Sequence, residues 1–109
     1  MAKPYSIVIV TAATEEKAEA LARAALEARL AACVQLHPIR SLYLWRDRLC
    51  DDKETALRFK IRSADFEALR ALIRDLHDYE TPEILRVEIA EGDADYLGWL
   101  EKETTRRAP

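Results

Sequence analysis

The sequence has few glycines, prolines and cysteines and no long apolar run, and each of these absences excludes a class of protein. Its 109 residues include only two glycines, four prolines and two cysteines, too few for a low-complexity, collagen-like or disulfide-stapled chain. Apolar runs such as Ile7–Val10 are too short to span a bilayer, and Met1–Pro4 lacks the apolar stretch of a signal peptide. Two thiols without zinc-type spacing suit a reducing compartment, so we expect a cytoplasmic protein.

Excess positive charge and recognisable catalytic motifs are also missing. The chain has seventeen basic and twenty acidic residues, so we expect no nucleic-acid or membrane partner. An RNA-recognition module would place stacking aromatics on its first and third strands, whereas Phe59 alternates with core residues and the first strand offers only Tyr5. Gly92 and Gly98 form no phosphate-binding loop, and no catalytic triad or Cys/His pair has the required context. We therefore expect no enzymatic activity.

The chain length predicts one domain over residues 1–109, and hydrophobic periodicity predicts its elements. Tyr5–Ala12 is apolar on both faces, as expected of a central strand, and Thr14 can cap the helix that follows. From Cys33 the period becomes two, which predicts a long β-hairpin with arms Ile39–Leu49 and Asp52–Arg62. The expected irregularities are a bulge at His37–Pro38 and a turn within Asp47–Lys53.

The second half of the chain predicts a helix, a strand and a short last helix. Ser63 is the expected cap of a helix that ends near His77–Asp78. In the strand Glu83–Ala90, the side chains of Leu85, Val87 and Ile89 are expected to point inward. A last helix follows Gly92–Asp93, and residues 104–109 are expected to form a frayed tail. The resulting β-α-β-β-α-β order predicts an α+β, ferredoxin-like sandwich with a protruding hairpin.

The hairpin is predicted to overhang its own domain. Each arm would span about 35 Å at roughly 3.3 Å per residue, whereas a compact chain of this length is roughly 34 Å across. The overhang carries Tyr43, Leu44 and Trp45 on alternate faces, and a free ribbon with two apolar faces is unstable in water. We expect a partner subunit to cover it. The alternative is a strand that packs within its own monomer.

The chain strongly resembles the CutA-type divalent-cation-tolerance proteins in five segments that occur in the family's order: LAACV at 30–34, SLYLW at 41–45, Glu54 with Lys60, HDYETPEI at 77–84, and Gly92 with YLGW at 96–99. The resemblance implies a ferredoxin-like homotrimer, similar in plan to PII-type signalling proteins, whose hairpins interlock around a threefold axis. It also implies a function in tolerance of divalent metal ions such as copper.

The sequence departs from this family at several positions. Asp47 stands where the family has its hairpin glycine; the other departures are Gln35, Asp78 and Glu88. Some members bind copper through a cysteine and one or two histidines, but Val10 and Leu76 occupy two of those positions here. His77 is the ligand that remains, so we expect weak binding of copper or another divalent cation at most. The alternative is a structural His77 stabilised by the end of its helix.

A second group of residues predicts a polar cleft at the subunit boundary. Its members are Trp45, Glu54, Lys60, Tyr79, Glu80 and Glu83. We expect the basic strand face of Arg58, Lys60 and Arg62 to meet the acidic turn His77–Glu83 of the same or a neighbouring subunit, and a small anionic ligand could sit there as in PII-like sensors. An ion-pair network that fixes trimer register is an equal alternative. The functional hypotheses are thus a metal-tolerance trimer, a PII-like small-molecule sensor and a purely structural assembly protein.

Overall fold

A computed structural model describes residues 2–106. The elements are β1 (Tyr5–Ala12), α1 (Glu15–Glu27), β2 (Cys33–Trp45), β3 (Arg48–Arg62), α2 (Phe66–Leu76), β4 (Ile84–Glu88) and α3 (Ala94–Glu103). This order confirms the predicted ferredoxin-like α+β fold with its short C-terminal helix. None of the helices in the described range is long and apolar enough to cross a membrane.

The four strands form one antiparallel sheet in the order β2-β3-β1-β4. The position of β1 between β3 and β4 confirms that it is a central strand. Alternate residues of β1 and β3 face the helices, where Val8, Val10 and Phe59 are fully buried. They pack against the apolar sides of α1 and α2 in one continuous core. The hydrophobic alternation therefore sets which sheet face the helices cover.

The inward face of β4 was predicted incorrectly. Leu85 and Val87 are 54% and 50% exposed, because pairing with β1 places them opposite Ile9 and Ile7 on the sheet face that the helices leave open. The face toward the helices instead carries Arg86, whose guanidinium lies 6.0 Å from the centroid of the Phe66 ring. A shift of one residue in a strand exchanges the two faces, and here the more apolar phase of β4, Leu85 and Val87, lies on the open face.

The two main helices begin differently. The Thr14 hydroxyl accepts a hydrogen bond from the Lys17 backbone N–H at 3.1 Å, as predicted. The prediction that Ser63 caps α2 is wrong, because Ser63–Asp65 forms a short 3-10 turn and the Ser63 hydroxyl bonds to that of Ser6 at 2.6 Å. The helix then runs to Leu76, so its predicted end is confirmed.

The hairpin is regular throughout. Its register is unbroken from the pair Cys33 and Lys60 to the pair Trp45 and Arg48, so the bulge predicted at His37–Pro38 is absent from β2. An edge strand accommodates proline because the missing N–H can face the open edge. The turn consists of Arg46 and Asp47, with φ angles of 50° and 64°, and it lies earlier than predicted.

The hairpin extends past the rest of the sheet, as predicted. Pairing between β1 and β3 stops at Ala12 and Thr55, and residues 48–54 continue with only β2 beside them. On this extension Leu42, Leu44 and Leu49 are 61%, 75% and 73% exposed. We call the paired residues 39–45 and 48–54 the overhang.

The end of α3 is joined to β3, because the Arg62 guanidinium donates to the Thr104 carbonyl at 3.1 Å. Thr104 is fully buried and its hydroxyl donates to the Leu100 carbonyl at 2.8 Å. The Arg106 guanidinium donates to the Asp65 carboxylate at 2.7 Å. Both contacts involve residues of the predicted tail, and its frayed state stays a prediction. Residues 107–109 of that predicted tail lie outside the described residues.

Candidate functional site

A cleft of about 780 Å³ separates the overhang from the segment that follows α2. One wall is formed by the hairpin residues Tyr43, Trp45 and Glu54, and the other by residues 78–81 with Glu83. Every predicted cleft residue except Lys60 lines this space: Trp45, Glu54, Tyr79, Glu80 and Glu83. The structure therefore brings together within one chain most of a site that was expected at a subunit boundary.

Lys60 and its basic neighbours lie elsewhere. The Lys60 ammonium group is 5.7 Å from the centroid of the Tyr96 ring, and Arg62 donates to Asp65 and Glu101 at 3.1 and 3.2 Å. Both residues belong to the part of β3 that pairs with β1, whereas the cleft lies beyond Thr55. Within one chain, the basic strand face does not meet the acidic turn.

Two tyrosines on the cleft donate hydrogen bonds to carboxylates. The Tyr79 hydroxyl donates to Glu54 at 2.7 Å, and burial together with this bond raises the pKa of Tyr79 above its usual value. The Tyr43 hydroxyl donates to Asp52, and that bond is the main cause that raises the pKa of Tyr43 to about 12. Both phenols are therefore neutral donors at physiological pH, and each holds a carboxylate in place.

His77 lies beside the cleft rather than in it. Its side chain is only 1% exposed. Its Nδ1 accepts from the Tyr79 backbone N–H at 3.1 Å, which leaves Nε2 to donate to the Thr11 carbonyl at 2.7 Å. A metal ion at His77 would have to displace one of these hydrogen bonds.

The predicted metal site therefore does not fit this arrangement. Val10 and Leu76 supply no ligand, and Asp78 is engaged with Lys17, which lowers the pKa of that carboxyl. Across residues 2–106, no group of three or more His, Cys, Asp or Glu side chains is arranged to hold a metal ion. The geometry instead favours the alternative of a structural histidine at the helix end.

The cleft is acidic, which is the opposite of the charge expected for an anion site. Arg40 contacts the Asp51 carboxylate through two hydrogen bonds, of 2.9 and 2.7 Å, and Arg46 donates to Glu80 at 2.8 Å. Glu54 and Glu83 pair with no basic side chain in the described range. A small anion would meet these two carboxylates and find the arginines already neutralised, so the expected anionic ligand does not match the lining.

Sequence reasoning missed two residues that shape the cleft. Arg40 was not singled out, although in the observed register it lies opposite Lys53 and diagonal to Asp51, a position from which cross-strand ion pairs form. Asp78 was noted only at the end of a helix and as a departure from the family pattern, yet it lines the cleft. The correct two-residue turn would have given the register, and with it the Arg40 pairing.

Similar proteins were found by sequence and by structure. Residues 6–103 match the family described as CutA1 divalent ion tolerance protein. The chain is 39% identical over 99 residues to the divalent-cation tolerance protein CutA of Thermus thermophilus, covering 90% of this chain and 96% of that protein. It is 37% identical to protein CutA of Mus musculus, covering 91% of this chain and 56% of the mouse protein.

Solved structures give the same result. The crystal structure of CutA1 from Pyrococcus horikoshii superposes with a TM-score of 0.89 at 35% identity, covering 93% of this chain and 99% of that one. The periplasmic divalent cation tolerance protein CutA from Archaeoglobus fulgidus gives a TM-score of 0.91 at 33% identity, covering 93% of this chain and 99% of that one. By sequence and by fold, the chain belongs to the CutA1 family of divalent-ion tolerance proteins.

Proposed function

We propose that this chain contributes to tolerance of divalent metal ions such as copper as a non-catalytic homotrimer in the cytoplasm. The observation that carries the assembly is the overhang, on which Leu42, Leu44 and Leu49 are each more than half exposed in a single chain. A two-stranded ribbon with an uncovered apolar face is unstable alone and tends to associate. Further copies of the same chain would cover it, and the resemblance to the family predicts three.

The link to metal ions rests on family membership rather than on a built copper site. The relatives are named for divalent-cation tolerance, while both nitrogens of His77 are engaged in hydrogen bonds within the chain. We therefore assign the metal response to the assembled protein and expect direct copper binding to be weak. No reaction is required for this role.

Mass in dilute solution tests the assembly. Light scattering should give about three times the 12.5 kDa chain mass. Leu44→Arg should shift the protein to monomer, because it places a charge in the proposed interface. Leu76→Arg makes the same change at an exposed leucine outside the overhang, so it is the matched control and should leave the mass unchanged. A wild-type protein that stays a folded monomer would refute the assembly.

Growth under metal stress tests the role. In cells deleted for their own member of the family, expression of this chain should restore growth on raised copper, and Leu44→Arg at equal abundance should not. Equal rescue by both would show that assembly is irrelevant to tolerance. Failure of the wild type, where a known relative succeeds, would count against the metal role itself.

The cytoplasmic location is supported by the two cysteines. Cys33 and Cys50 form no disulfide, which suits a reducing compartment. Fractionation of cells that express the untagged protein should place it with cytoplasmic markers. Recovery in the periplasm, the location given in the name of the Archaeoglobus protein, would overturn this part of the proposal.

A small-molecule sensor of the PII-like kind is the second candidate, and the cleft is the observation that favours it. Its volume of about 780 Å³ falls within the range of small-ligand sites. A saturable ligand that alters assembly or a protein contact would support this candidate. The acidic lining changes which ligands should be tried.

A further inference from the structure

The cleft between the overhang and residues 78–83 combines aromatic surface with uncompensated negative charge. We infer that it binds an organic cation, specifically an aliphatic diamine or polyamine. The inference goes beyond the proposed role in metal tolerance. Both walls of the cleft come from one chain, and its hairpin residues Tyr43 and Trp45 lie on the opposite strand face from Leu42 and Leu44, whose face the neighbouring subunits are proposed to cover.

The charge of the lining selects a cation. The ion pairs of Arg40 with Asp51, Arg46 with Glu80 and Lys17 with Asp78 are complete within the chain. Glu54 and Glu83 have no basic partner among residues 2–106, and Glu54 is half-buried. A carboxylate in a partly desolvated cleft gains most from an ammonium group that replaces the water it has lost.

The carboxylate of Glu54 is held ready for such a contact. The Tyr79 hydroxyl donates to its Oε2 at 2.7 Å, which fixes the side chain while the other carboxylate oxygen remains an acceptor. The His77 ring lies 4.7 Å from the Tyr79 ring, centroid to centroid, and accepts the Tyr79 backbone N–H. The contacts of His77 with Tyr79 and of Tyr79 with Glu54 thus fix the position of the Glu54 carboxylate without neutralising its negative charge.

Aromatic rings provide the second part of the site. Tyr43, Trp45 and Tyr79 line the cleft, and aromatic faces attract cations as well as apolar chains. The chain already shows this behaviour at the rim, where the Arg46 guanidinium lies 5.3 Å from the centroid of the Trp45 ring. A ligand with ammonium groups on an aliphatic chain would use both the rings and the carboxylates.

A metal ion is a poorer match for the same lining. Divalent ions require several ligand oxygens or nitrogens in a fixed geometry, and the described part of the chain contains no such group of three. An aliphatic diamine requires only one charge-assisted contact at each end and apolar surface between them. The cleft meets this looser requirement.

Calorimetric titration of the purified protein, in whatever oligomeric state it adopts, tests the inference. The probes are 1,4-diaminobutane and spermidine at physiological ionic strength, with succinate as an anion of similar length and Mg²⁺ as an inorganic cation. We expect saturable binding of the amines, none of succinate, and little competition from Mg²⁺ at equal concentration. Failure of a folded wild-type protein to bind either amine, or tighter binding of succinate, would overturn the inference.

Two variants locate the site. Glu54→Gln keeps an acceptor for the Tyr79 hydroxyl but removes the charge, and Glu83→Gln removes the other unpaired charge; each should weaken amine binding about tenfold. Glu91→Gln makes the same charge change outside the cleft and should bind as the wild type does. If the double variant Glu54→Gln, Glu83→Gln is folded by circular dichroism and binds amines with unchanged affinity, the cleft is not the site. This outcome would leave the mass and growth tests of the metal-tolerance trimer unaffected.

Discussion

At the scale of single residues, His77 joins three parts of the chain. It follows the last residue of α2, its Nε2 donates to the Thr11 carbonyl of β1, and its Nδ1 accepts the Tyr79 backbone N–H at the start of the cleft wall. Both hydrogen bonds are shielded from water, because the side chain is almost fully buried. The imidazole therefore fixes the direction in which the chain leaves the helix.

Replacement of His77 by leucine should destabilise the protein without changing its affinity for metal. The loss of one acceptor and one donor at buried backbone groups should lower the free energy of unfolding by about 1–3 kcal/mol. Cu(II) titration should give the wild-type affinity, since neither ring nitrogen is free. Chemical denaturation and calorimetry measure the two quantities.

The control for this change is His37→Leu, at the other histidine of the sequence. His37 is exposed on β2, so its replacement should change stability by no more than about 0.5 kcal/mol. A tenfold loss of copper affinity in His77→Leu would show that the ring leaves its hydrogen bonds to bind metal.

The contribution of Tyr79 to the stability of the fold should be lost at alkaline pH. Its folded-state pKa lies above the ordinary value of 10.0, first because of burial and then because of the bond to Glu54. A raised folded pKa means that this contribution is fully present below pH 10 and is lost as pH rises through the folded value. Tyr79→Phe should lower the free energy of unfolding by about 0.5–1.5 kcal/mol at neutral pH.

The difference between wild type and Tyr79→Phe should shrink above pH 10. Tyr96→Phe is the control, because the Tyr96 hydroxyl makes no hydrogen bond within residues 2–106, and it should remain close to wild type throughout. Ultraviolet absorbance of the folded protein should also show that Tyr79→Phe removes a late-titrating phenol. A constant difference across the alkaline range would contradict this assignment.

The composition of the cleft was largely predictable at this scale, but its charge was not. The residue types at 45, 54, 79, 80 and 83 were picked out by the family resemblance, and the structure places them together. Which charges are neutralised depends on cross-chain pairs such as Arg46 with Glu80. Such pairs join segments that are far apart in sequence, so composition alone could not reveal them.

At the scale of elements, the hairpin turn carries a conformational cost. Arg46 and Asp47 both have positive φ angles, which favour glycine or asparagine in a two-residue turn of this kind. Arg46 offsets part of the cost through its ion pair with Glu80 and its position over Trp45. Asp47 has no such contact in the described range and is the better place to relieve the strain.

Asp47→Gly should therefore stabilise the hairpin. Glycine adopts the left-handed region without a steric penalty, so we expect the free energy of unfolding to rise by about 0.5–1 kcal/mol per chain. Arg48→Gly, one residue later in β3, should instead lower it because glycine weakens a strand. Denaturant unfolding of both variants would decide, and destabilisation by Asp47→Gly would contradict the turn geometry.

The order and type of the elements were predicted correctly from the sequence. The errors occurred where the local sequence does not specify a turn, an edge strand or a helix cap. Arg46 and Asp47 lack the Asn-Gly pattern that marks a tight turn, so the turn was predicted too late. Pro38 was interpreted as a bulge because the sequence does not reveal that β2 is an edge strand. Ser63 is a good helix cap by type, but it contacts Ser6 across the sheet.

At the scale of the whole molecule, folding and assembly should be coupled. An overhang covered by neighbouring subunits is protected only in the oligomer, so dilution should lower the temperature of unfolding. We expect the midpoint of thermal unfolding to rise with protein concentration in the wild type and to be flat in Leu44→Arg. Calorimetric scans over a hundredfold range of concentration measure this. A midpoint independent of concentration, for a wild type that unfolds reversibly, would contradict the coupling.

The ferredoxin-like sheet and the overhang were predictable at this scale, whereas the face used by β4 was not. The apolar faces of β1 and the alternation in β3 correctly indicated a covered sheet. The strand β4 is short and its more apolar phase does not face the helices, so the choice between Leu85 and Ile84 as the inward position depends on its register with β1. That register is a property of the assembled sheet.

Pro38 also protects the chain from aggregation through the free edge of its sheet. The free side of β2 would otherwise offer an unbroken row of donors and acceptors to which a strand from any other molecule could add. A proline midway along this strand interrupts the row, so templated growth along that side is blocked. Residues 48–54 of β3 contain no proline and have no partner strand on their other side within the described chain. Strand addition is thereby disfavoured at the free side of β2, which leaves the outer edge of β4 and residues 48–54 of β3 as the places where another copy could add, and a restricted set of edges favours closed assembly over fibres.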